Sequence, residues 1–448
     1  MKKGAEHPIS AALGGIMLFV CLALGMFFAW DATRQLIDLH DAALFGNISI
    51  FMLAWLSFLA LIVLRFLILL GMAVLDWFDS LRTRVGTLSD DDLPVVTVIM
   101  PVFNEGSMIR AALKSLMAID YPHLEIIVVD DGSEDASYSR AAALSAKNRH
   151  VTIRVLSKPN GGKADALNHG LAHARGSIVV CVDGDSTIDP LAVRHLVHHF
   201  DDPRVGAVAG NVRVINPKRF WAAMQTLEYI QGYGLLKRAQ SYAHIVSVVP
   251  GPLGAFRKTA IAHVGAYESD TFAEDYDLSI KLLEAGWHIV YEPLAQVWTE
   301  VPESLLDLIK QRYRWTRGSL QVALKRNAVL RHPLRHPLNT FGMSYLWFDN
   351  IVFPLVNILA LGAFVIGGLW WGLHHLMVLW WAQVLLLDVA IAAFCVALEK
   401  ENPKLLLWAI PFRLVYQTVM DVTRLLATAE QFLGVKMGWG HIKRLGRL

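Results

Sequence analysis

The sequence predicts an α/β domain built on an open, mainly parallel sheet and flanked at both ends by membrane-spanning helices. Three observations carry this. From about Val95 to Arg326, short Val- and Ile-rich runs alternate with amphipathic stretches. Long apolar runs precede and follow that region. The whole chain is 54% hydrophobic and only 18% charged, against about 25% charged in an average soluble protein. Such a composition excludes a disordered chain and a basic nucleic-acid-binding module. The formal charge of +2 identifies no polyanionic partner, so charge has to be read by position.

The amino-terminal elements come first. Ala11 to Trp30 is an uninterrupted apolar run of the roughly 20 residues that cross a bilayer. A second runs from Leu44 to about Leu64 and continues past Arg65. Lys2 and Lys3 precede the first run as they would in a signal peptide, but no clear small-x-small cleavage site follows. An uncleaved hairpin over residues 1–80 is therefore expected. The connecting DATRQLIDLHDAA holds three Asp against one Arg, while Arg82 and Arg84 follow the second run. This places the amino terminus and everything after the hairpin in the cytoplasm.

Residues 81–302 read as a cytoplasmic domain. VVTVIMPVF, LEIIVVD, VTIRVL, SIVVCVD and VGAVAGNV are the expected strands, continuous and apolar as in a sheet covered on both faces. Ligands of such sheets bind beyond the carboxyl ends of the strands, so the residues after each strand matter most. They are Asn104 and Glu105 after the first, Asp130 and Asp131 with GSED after the second, and Asp183, Gly184, Asp185 and Ser186 after the fourth. Carboxylates gathered on one rim repel each other unless a cation or a donor-rich ligand sits among them. No GxGxxG or GxxxxGK[ST] follows any strand, which argues against a nicotinamide fold and a P-loop.

Asp183 and Asp185 stand two apart at a strand end, so both side chains can point the same way. Their hard oxygens suit Mg or Mn and leave coordination positions for a diphosphate, whereas an isolated DxD is more often a polar turn. Asp130 and Asp131 either cap the next helix or meet a base N–H while one of them fixes the loop. Lys163 follows Gly161 and Gly162 at the start of a helix whose N–H groups favour anions, and diphosphate contact is expected of it.

Together these segments resemble the family 2 glycosyltransferases, whose nucleotide-binding domain has the Rossmann-like GT-A fold. The resemblance implies nucleoside contacts from Pro101, Phe103 and Glu105 and uracil-side contacts from Asp130 and Asp131. It also implies a metal, Mg or Mn, on Asp183 and Asp185, with Asp183 touching the nucleotide as well. Farther along, in FAEDYDLSIKLLEAGWHIVYEP, Glu274, Asp275 and Asp277 begin a helix whose dipole favours acids, a structural role that competes most strongly at Asp277. The family's base is the third residue of a Thr-Glu-Asp or Gly-Glu-Asp triplet, here AED, which implies Asp275 as base with Glu274 beside it on the acceptor side.

Residues 303–340 are expected to form an amphipathic interfacial segment, with Leu305, Leu308, Ile309 and Leu320 at helical spacing among Lys310, Arg312, Arg314 and Arg317. Within it, Gln311, Arg314 and Trp315 form QxxRW, the signature of processive members such as cellulose, chitin, hyaluronan and poly-N-acetylglucosamine synthases. The upstream VVPGPLGAFRKTAI resembles their acceptor-binding loop, which implies Pro252, Leu253 and Gly254 near the terminal sugar.

Residues 341–448 complete the chain with apolar runs near Phe341 to Trp371, Leu376 to Leu398 and Leu405 to about Leu426. The last contains Pro411, Arg413, Asp421 and Arg424 and reads as a span or as a broken, interfacial helix. Lys436, Lys443, Arg444 and Arg447 favour a cytoplasmic carboxyl terminus. Cys21, Cys181 and Cys395 form no disulfide framework and read as small buried hydrophobes.

The resemblance thus implies an inverting, processive, multi-pass enzyme of the inner (plasma) membrane. Its expected partners are a UDP-sugar, best UDP-N-acetylglucosamine, a growing β-linked polysaccharide, the lipid bilayer and a small membrane or periplasmic export subunit, with no nucleic acid. The alternatives are a UDP-glucose-dependent β-glucan synthase, a hyaluronan- or chitin-type synthase, and a transferase adding one sugar to a lipid phosphate. A transporter or sensor that only binds a nucleotide sugar is the reading from another class.

Overall fold

The computed structural model describes residues 46–82, 90–147, 151–327, 337–371 and 374–436, with six scattered positions between 20 and 34. Most of the first expected span, Cys21, Arg84 and the tail residues Lys443, Arg444 and Arg447 lie outside the described residues. The second apolar run and its continuation past Arg65 form one 37-residue helix, α1 (Gly46–Arg82).

The domain that follows holds an eight-stranded sheet. Its strands are β1 (Val96–Val102), β2 (Leu124–Asp130), β3 (Thr152–Ser157), β4 (Ile178–Cys181), β5 (Ser186–Ile188), β6 (Val205–Val214), β7 (Gly254–Arg257) and β8 (His288–Thr299), in spatial order β3-β2-β1-β4-β7-β6-β8-β5. β1 runs parallel to β2 and β4, β2 to β3, and β6 to β8. β7 is antiparallel to both β4 and β6, and β5 is antiparallel to β8. The sheet is therefore mainly parallel, as expected, but mixed: six of its eight strands run the same way, while β7, inserted between β4 and β6, and β5 at the edge run against them. β5 and β7 are three and four residues long, too short to carry a periodic pattern.

Every residue of β1 is buried, and alternation divides them between two cores. Val96, Val98, Met100 and Val102 pack with Ile109, Leu113 and Leu116 on one face, while Ile99 packs with Ile127, Leu167 and Val179 on the other. The first face is covered by α2 (Ile109–Met117), whose buried Ile109, Ala112, Leu113 and Leu116 recur at the spacing of a single helical stripe. Each large apolar side chain of that stripe stabilises the fold by about 1.5–3 kcal/mol. α3 (Ser137–Lys147) and α4 (Lys163–His173) follow β2 and β3, and α5 (Ala192–Val197) follows β5.

After β6 the chain enters α6 (Phe220–Gln231), a π-helical turn over Gly232–Lys237, and α7 (Arg238–Tyr242). α8 (Lys258–His263), α9 (Glu274–Glu284) and α10 (Leu305–Lys325) complete the domain. The remaining helices are α11 (Pro337–Trp347), α12 (Phe353–Trp371), α13 (His374–Leu398) and α14 (Gln417–Phe432). Among the described residues, two helical stretches, Gly342–Gly362 and Pro403–Phe432, are long and apolar enough to cross a membrane. The second continues through Pro411 by way of a π-helical turn, Phe412–Tyr416.

The α/β domain is anchored to the apolar helices. A third core joins Leu69 and Leu70 of α1, Met224 and Leu227 of α6, and Leu387 and Ile391 of α13. Beside it, Glu399 accepts from Arg213 at 2.7 Å, Asn211 at 3.0 Å and Arg238 at 3.4 Å, and Arg238 also reaches Asp76 of α1 at 3.3 Å. Buried charge on this scale is tolerated only when it is paired in this way. α10 lies in the same junction. Its Arg312 and Arg317 are buried, the first paired with Glu228 and the second donating to Gln431 of α14 at 2.6 Å, so neither guanidinium faces lipid.

Candidate active site

The loops after β1 and β2 form a single unit at the carboxyl edge of the sheet. Asn104 takes a positive φ of 54°, which asparagine tolerates, and this lets its N–H donate to Ser133 Oγ while its Oδ1 accepts from the Glu134 N–H. Asp135 accepts from the N–H groups of Gly106 and Ser137, both at 2.9 Å. Asp131 accepts from Lys158 Nζ at 2.6 Å, Gly161 N–H at 3.0 Å and Gly162 N–H at 2.8 Å. It is the residue that fixes the KPNGG loop at the start of α4. Asp130, also buried, accepts from Ser133 N–H at 3.3 Å through one oxygen, while its other oxygen meets no donor among the described residues. Among the described residues Asp130 thus keeps one oxygen without a protein donor, whereas both oxygens of Asp131 are engaged.

Several acids of the rim are thus neutralised by the protein's own donors, and the crowding of carboxylates noted in the sequence is partly a loop-building device. The exception is the cluster around Lys163. Its ammonium lies 2.5 Å from Asp183 Oδ1 and 3.5 Å from Glu274 Oε1, linking the strand β4 edge to the start of α9. Burial pulls the Lys163 ammonium down, but Asp183, Glu274 and Asp275 outweigh it and hold it above its ordinary value. Burial pushes the Glu274 carboxyl up, with Lys163 opposing. Gly251 leaves room for this pair, since a Cβ there would lie 2.7 Å from Lys163 Nζ and 3.1 Å from Asp183 Oδ2 and would push those side-chain ends aside. On the other side of the DGD turn, the Glu105 carboxylate fills the place a side chain on Gly184 would take.

Asp275 is oriented by two backbone donors, Gly251 N–H to Oδ2 at 3.2 Å and Tyr276 N–H to Oδ1 at 2.8 Å. Asp277 belongs to a different environment. Its fully buried carboxylate is held by Arg326 and Lys325, so it takes the structural role.

A cavity of about 420 Å³ brings the central residues together: Lys163, Asp183, Asp185, Pro252, Glu274, Asp275, Gln311, Arg314 and Trp315 all line it. Trp315 is 40% exposed, and the Arg312 guanidinium covers its ring at 4.2 Å. Pro101 lines a small adjoining pocket with Lys163 and Asp183, whereas Phe103 stands exposed on the rim. Leu253 and Gly254, expected near the acceptor, do not reach the cavity. Leu253 is fully buried in the core against Gly210, and Gly254 opens β7 with Val249 and Phe256 where its side chain would be. The preceding Val248, Pro250, Gly251 and Pro252 line the open space instead.

The sequence reading missed the wall made by Tyr229, Tyr233 and Lys237, together with Glu228 and, at the end of β8, Glu300. Tyr229, Tyr233 and Lys237 recur every four residues, which puts them on one helical face, and the π-helical turn beneath them is a feature that often marks functional sites. Asp183 and Asp185 offer only carboxylate oxygen to the cavity, a donor set that fits Mg or Mn.

A mixed sheet with acids at its carboxyl edge and a cavity closed by an amphipathic helix defines a GT-A-type glycosyltransferase fold. The family described as glycosyltransferase like family 2 matches residues 94–318, half of the chain, and the chain belongs to that family. A poly-beta-1,6-N-acetyl-D-glucosamine synthase from Staphylococcus aureus (strain COL) is 34% identical over 273 residues, 61% of this chain and 65% of the relative. The enzyme of the same name from Staphylococcus epidermidis is 35% identical over 51% of this chain and 56% of that one. The match thus spans less than two thirds of the length of these relatives. Among solved structures, a mannosyltransferase from Pyrobaculum calidifontis in complex with GDP-Man and Mn2+ superposes with a TM-score of 0.57 at 23% identity, covering 82% of this chain and 96% of that one. It shares the fold.

Proposed function

We propose that this protein is an inverting, processive transferase that adds sugars from a UDP-sugar, best UDP-N-acetylglucosamine, to the end of a β-linked polysaccharide. The observation that carries the reading is the shared cavity, in which Lys163 and Asp183, Asp275, and the Gln311–Arg314–Trp315 set face one space. The staphylococcal relatives, named for poly-N-acetylglucosamine synthesis, support the donor.

In this reading Asp130 accepts from the base and Pro101, Phe103 and Glu105 surround the nucleoside. Lys163 places positive charge where the diphosphate departs. Asp183 and Asp185 would hold Mg2+ or Mn2+, which adds Lewis-acid charge to the leaving group when bound. Asp275, kept in one orientation by Gly251 and Tyr276, removes the proton from the acceptor hydroxyl as that oxygen attacks the anomeric carbon from the opposite face. An α-linked donor then yields a β-linked product. Trp315 offers its uncovered face to the acceptor sugar, with Gln311, Arg314 and Pro252 around it.

The chain is further proposed to be multi-pass in the inner membrane, with residues 1–80 as a hairpin, 341–448 as the carboxyl-terminal helices and the catalytic domain cytoplasmic. The product would be exported through the bilayer with a small partner subunit. The test is to incubate membranes separately with UDP-N-acetylglucosamine, UDP-glucose and UDP-glucuronate, measure UDP release, and digest the product with linkage-specific hydrolases. Polymer from UDP-N-acetylglucosamine supports the proposal. A product carrying one added sugar would replace it with single transfer, and no UDP release from any donor would overturn it.

A further inference from the structure

Outside the cavity, His198, His199 and Glu292 bring three ligand atoms within 4.8 Å of one another. His199 Nε2 lies 2.8 Å and His198 Nε2 3.7 Å from the same oxygen, Glu292 Oε2. None of the three lines the cavity. The two histidines are consecutive in a 3₁₀ turn (His198–Asp201), where successive side chains ordinarily diverge by about a third of a turn. Here their rings are drawn together, with centroids 4.0 Å apart and planes 35° apart. The side chains of His198, His199 and Glu292 are only 13%, 23% and 8% exposed.

The carboxylate is aimed by the backbone. Leu294 N–H donates to Glu292 Oε1 at 2.8 Å, which leaves Oε2 turned to the imidazoles, the kind of outer support that orients metal ligands. Glu292 also sits on an irregularity of β8. Ala209 pairs with Tyr291, but Asn211, two residues on, pairs with Gln296, so the segment between Tyr291 and Gln296 bulges out of the ladder. Asn211 Nδ2 holds the bulge by donating to Pro293 O at 3.0 Å. Bulges of this kind commonly re-aim a side chain. A single histidine would satisfy Glu292 Oε2 as a hydrogen bond, and the second imidazole on the same oxygen is what a plain His–Glu pair leaves unexplained.

We propose that His198, His199 and Glu292 form a second metal site, selective for a nitrogen-preferring divalent ion such as Zn2+, that staples the turn after α5 to the β8 bulge. Two imidazoles and one carboxylate are a zinc ligand set with a fourth position left for water. The same nitrogen donors disfavour the Mg2+ that suits Asp183 and Asp185. The ion would be structural: β8 runs from the bulge to Thr299, and Thr299 and Glu300 line the cavity.

The test uses the full chain purified in detergent, with any affinity tag removed and with Asp183→Asn/Asp185→Asn to silence the other site. Zn2+ or Co2+ is added, and metal per chain, Co2+ visible absorption and thermal midpoint are measured. One ion per chain, intense low-coordinate Co2+ bands and a raised midpoint are expected, all lost in His198→Gln/His199→Gln. Glu292→Gln keeps a hydrogen bond to His199 and serves as the second variant. It is expected to weaken Zn2+ binding by at least the ~10–100-fold that even outer partners contribute. Absence of bound metal, or binding that survives both sets of substitutions, overturns the proposal.

Discussion

Asp277 accepts from Arg326 Nε at 2.9 Å and from Lys325 Nζ at 3.1 Å, so the carboxyl end of α10 is fastened to the first turn of α9. Those helices carry Trp315 and Asp275 respectively. The ion pair therefore sets the spacing between the proposed acceptor platform and the proposed base. Glu268 joins the same cluster through Lys281, Lys325 and Arg326. Asp277→Asn is expected to cost about 1.5–3 kcal/mol, the range for hydrogen bonds to charged groups. Thermal unfolding in detergent measures that loss, and turnover should fall with donor affinity preserved. Unchanged stability would show that the pairs are dispensable.

The two helices also meet at Gly318. A Cβ there would lie 2.8 Å from Ala273 Cβ and 3.0 Å from both Ala273 N and Phe272 C, against backbone that has no flexible end to move aside. Gly318→Ala must therefore shift the Phe272–Glu274 segment by a few tenths of an ångström, and Asp275 with it. A fall in kcat of ~10-fold is expected, since ~1 Å of misplacement can cost ~10²-fold. Donor KM should hardly change. An equal loss in both constants would mean that the cavity itself had collapsed.

Asp275→Asn separates chemistry from binding. Asparagine can still accept from Gly251 N–H, so the loop should stay in place while the base is lost. Turnover is expected to drop by about 10²–10⁴, the usual contribution of general acid–base catalysis, with UDP binding retained. Measured UDP release at the wild-type rate would remove the assignment.

How far the site was legible depends on which side chains betray their direction. Asp183 and Asp185 fall at a strand end and Asp275 at a helix start, where residue type and chemistry coincide, while the QxxRW set stands out within α10 by its motif, and all of these line the cavity. Asp130 and Asp131 are adjacent and chemically identical. Only the folded loop shows that Asp131 is consumed by Gly161, Gly162 and Lys158. The Pro252–Leu253–Gly254 segment misled because the chain turns there into β7, so neighbouring residues alternate between cavity and core. Tyr229, Tyr233 and Lys237 belong to no motif that marks them in the sequence, and only the fold brings them to the cavity wall. The mixed character of the sheet was hidden for a different reason: its two reversed strands, β5 and β7, are only three and four residues long and carry no periodic pattern.

Lys237 gives the sharpest pH test. Its ammonium donates to Val248 O at 2.5 Å, lies 5.5 Å from the Tyr233 ring centroid and faces the cavity. Burial pulls its pKa from 10.5 down to about 8, with Asp275 opposing. Between about 8 and 10.5 the unfolded chain keeps a proton that the folded chain has released, so this group makes stability rise with pH across that window. Lys237→Met abolishes the contribution. The stability of the variant relative to wild type should therefore be greatest below pH 8 and shrink as pH approaches 10.5. The same titration removes a positive charge from the cavity. Affinity for anionic UDP should fall across pH 8 in the wild type and stay level in Lys237→Arg, whose guanidinium keeps its charge throughout. Thermal midpoints and UDP titrations at matched pH read both effects, and a difference between wild type and Lys237→Met that does not vary with pH would show that the amine stays charged in the fold.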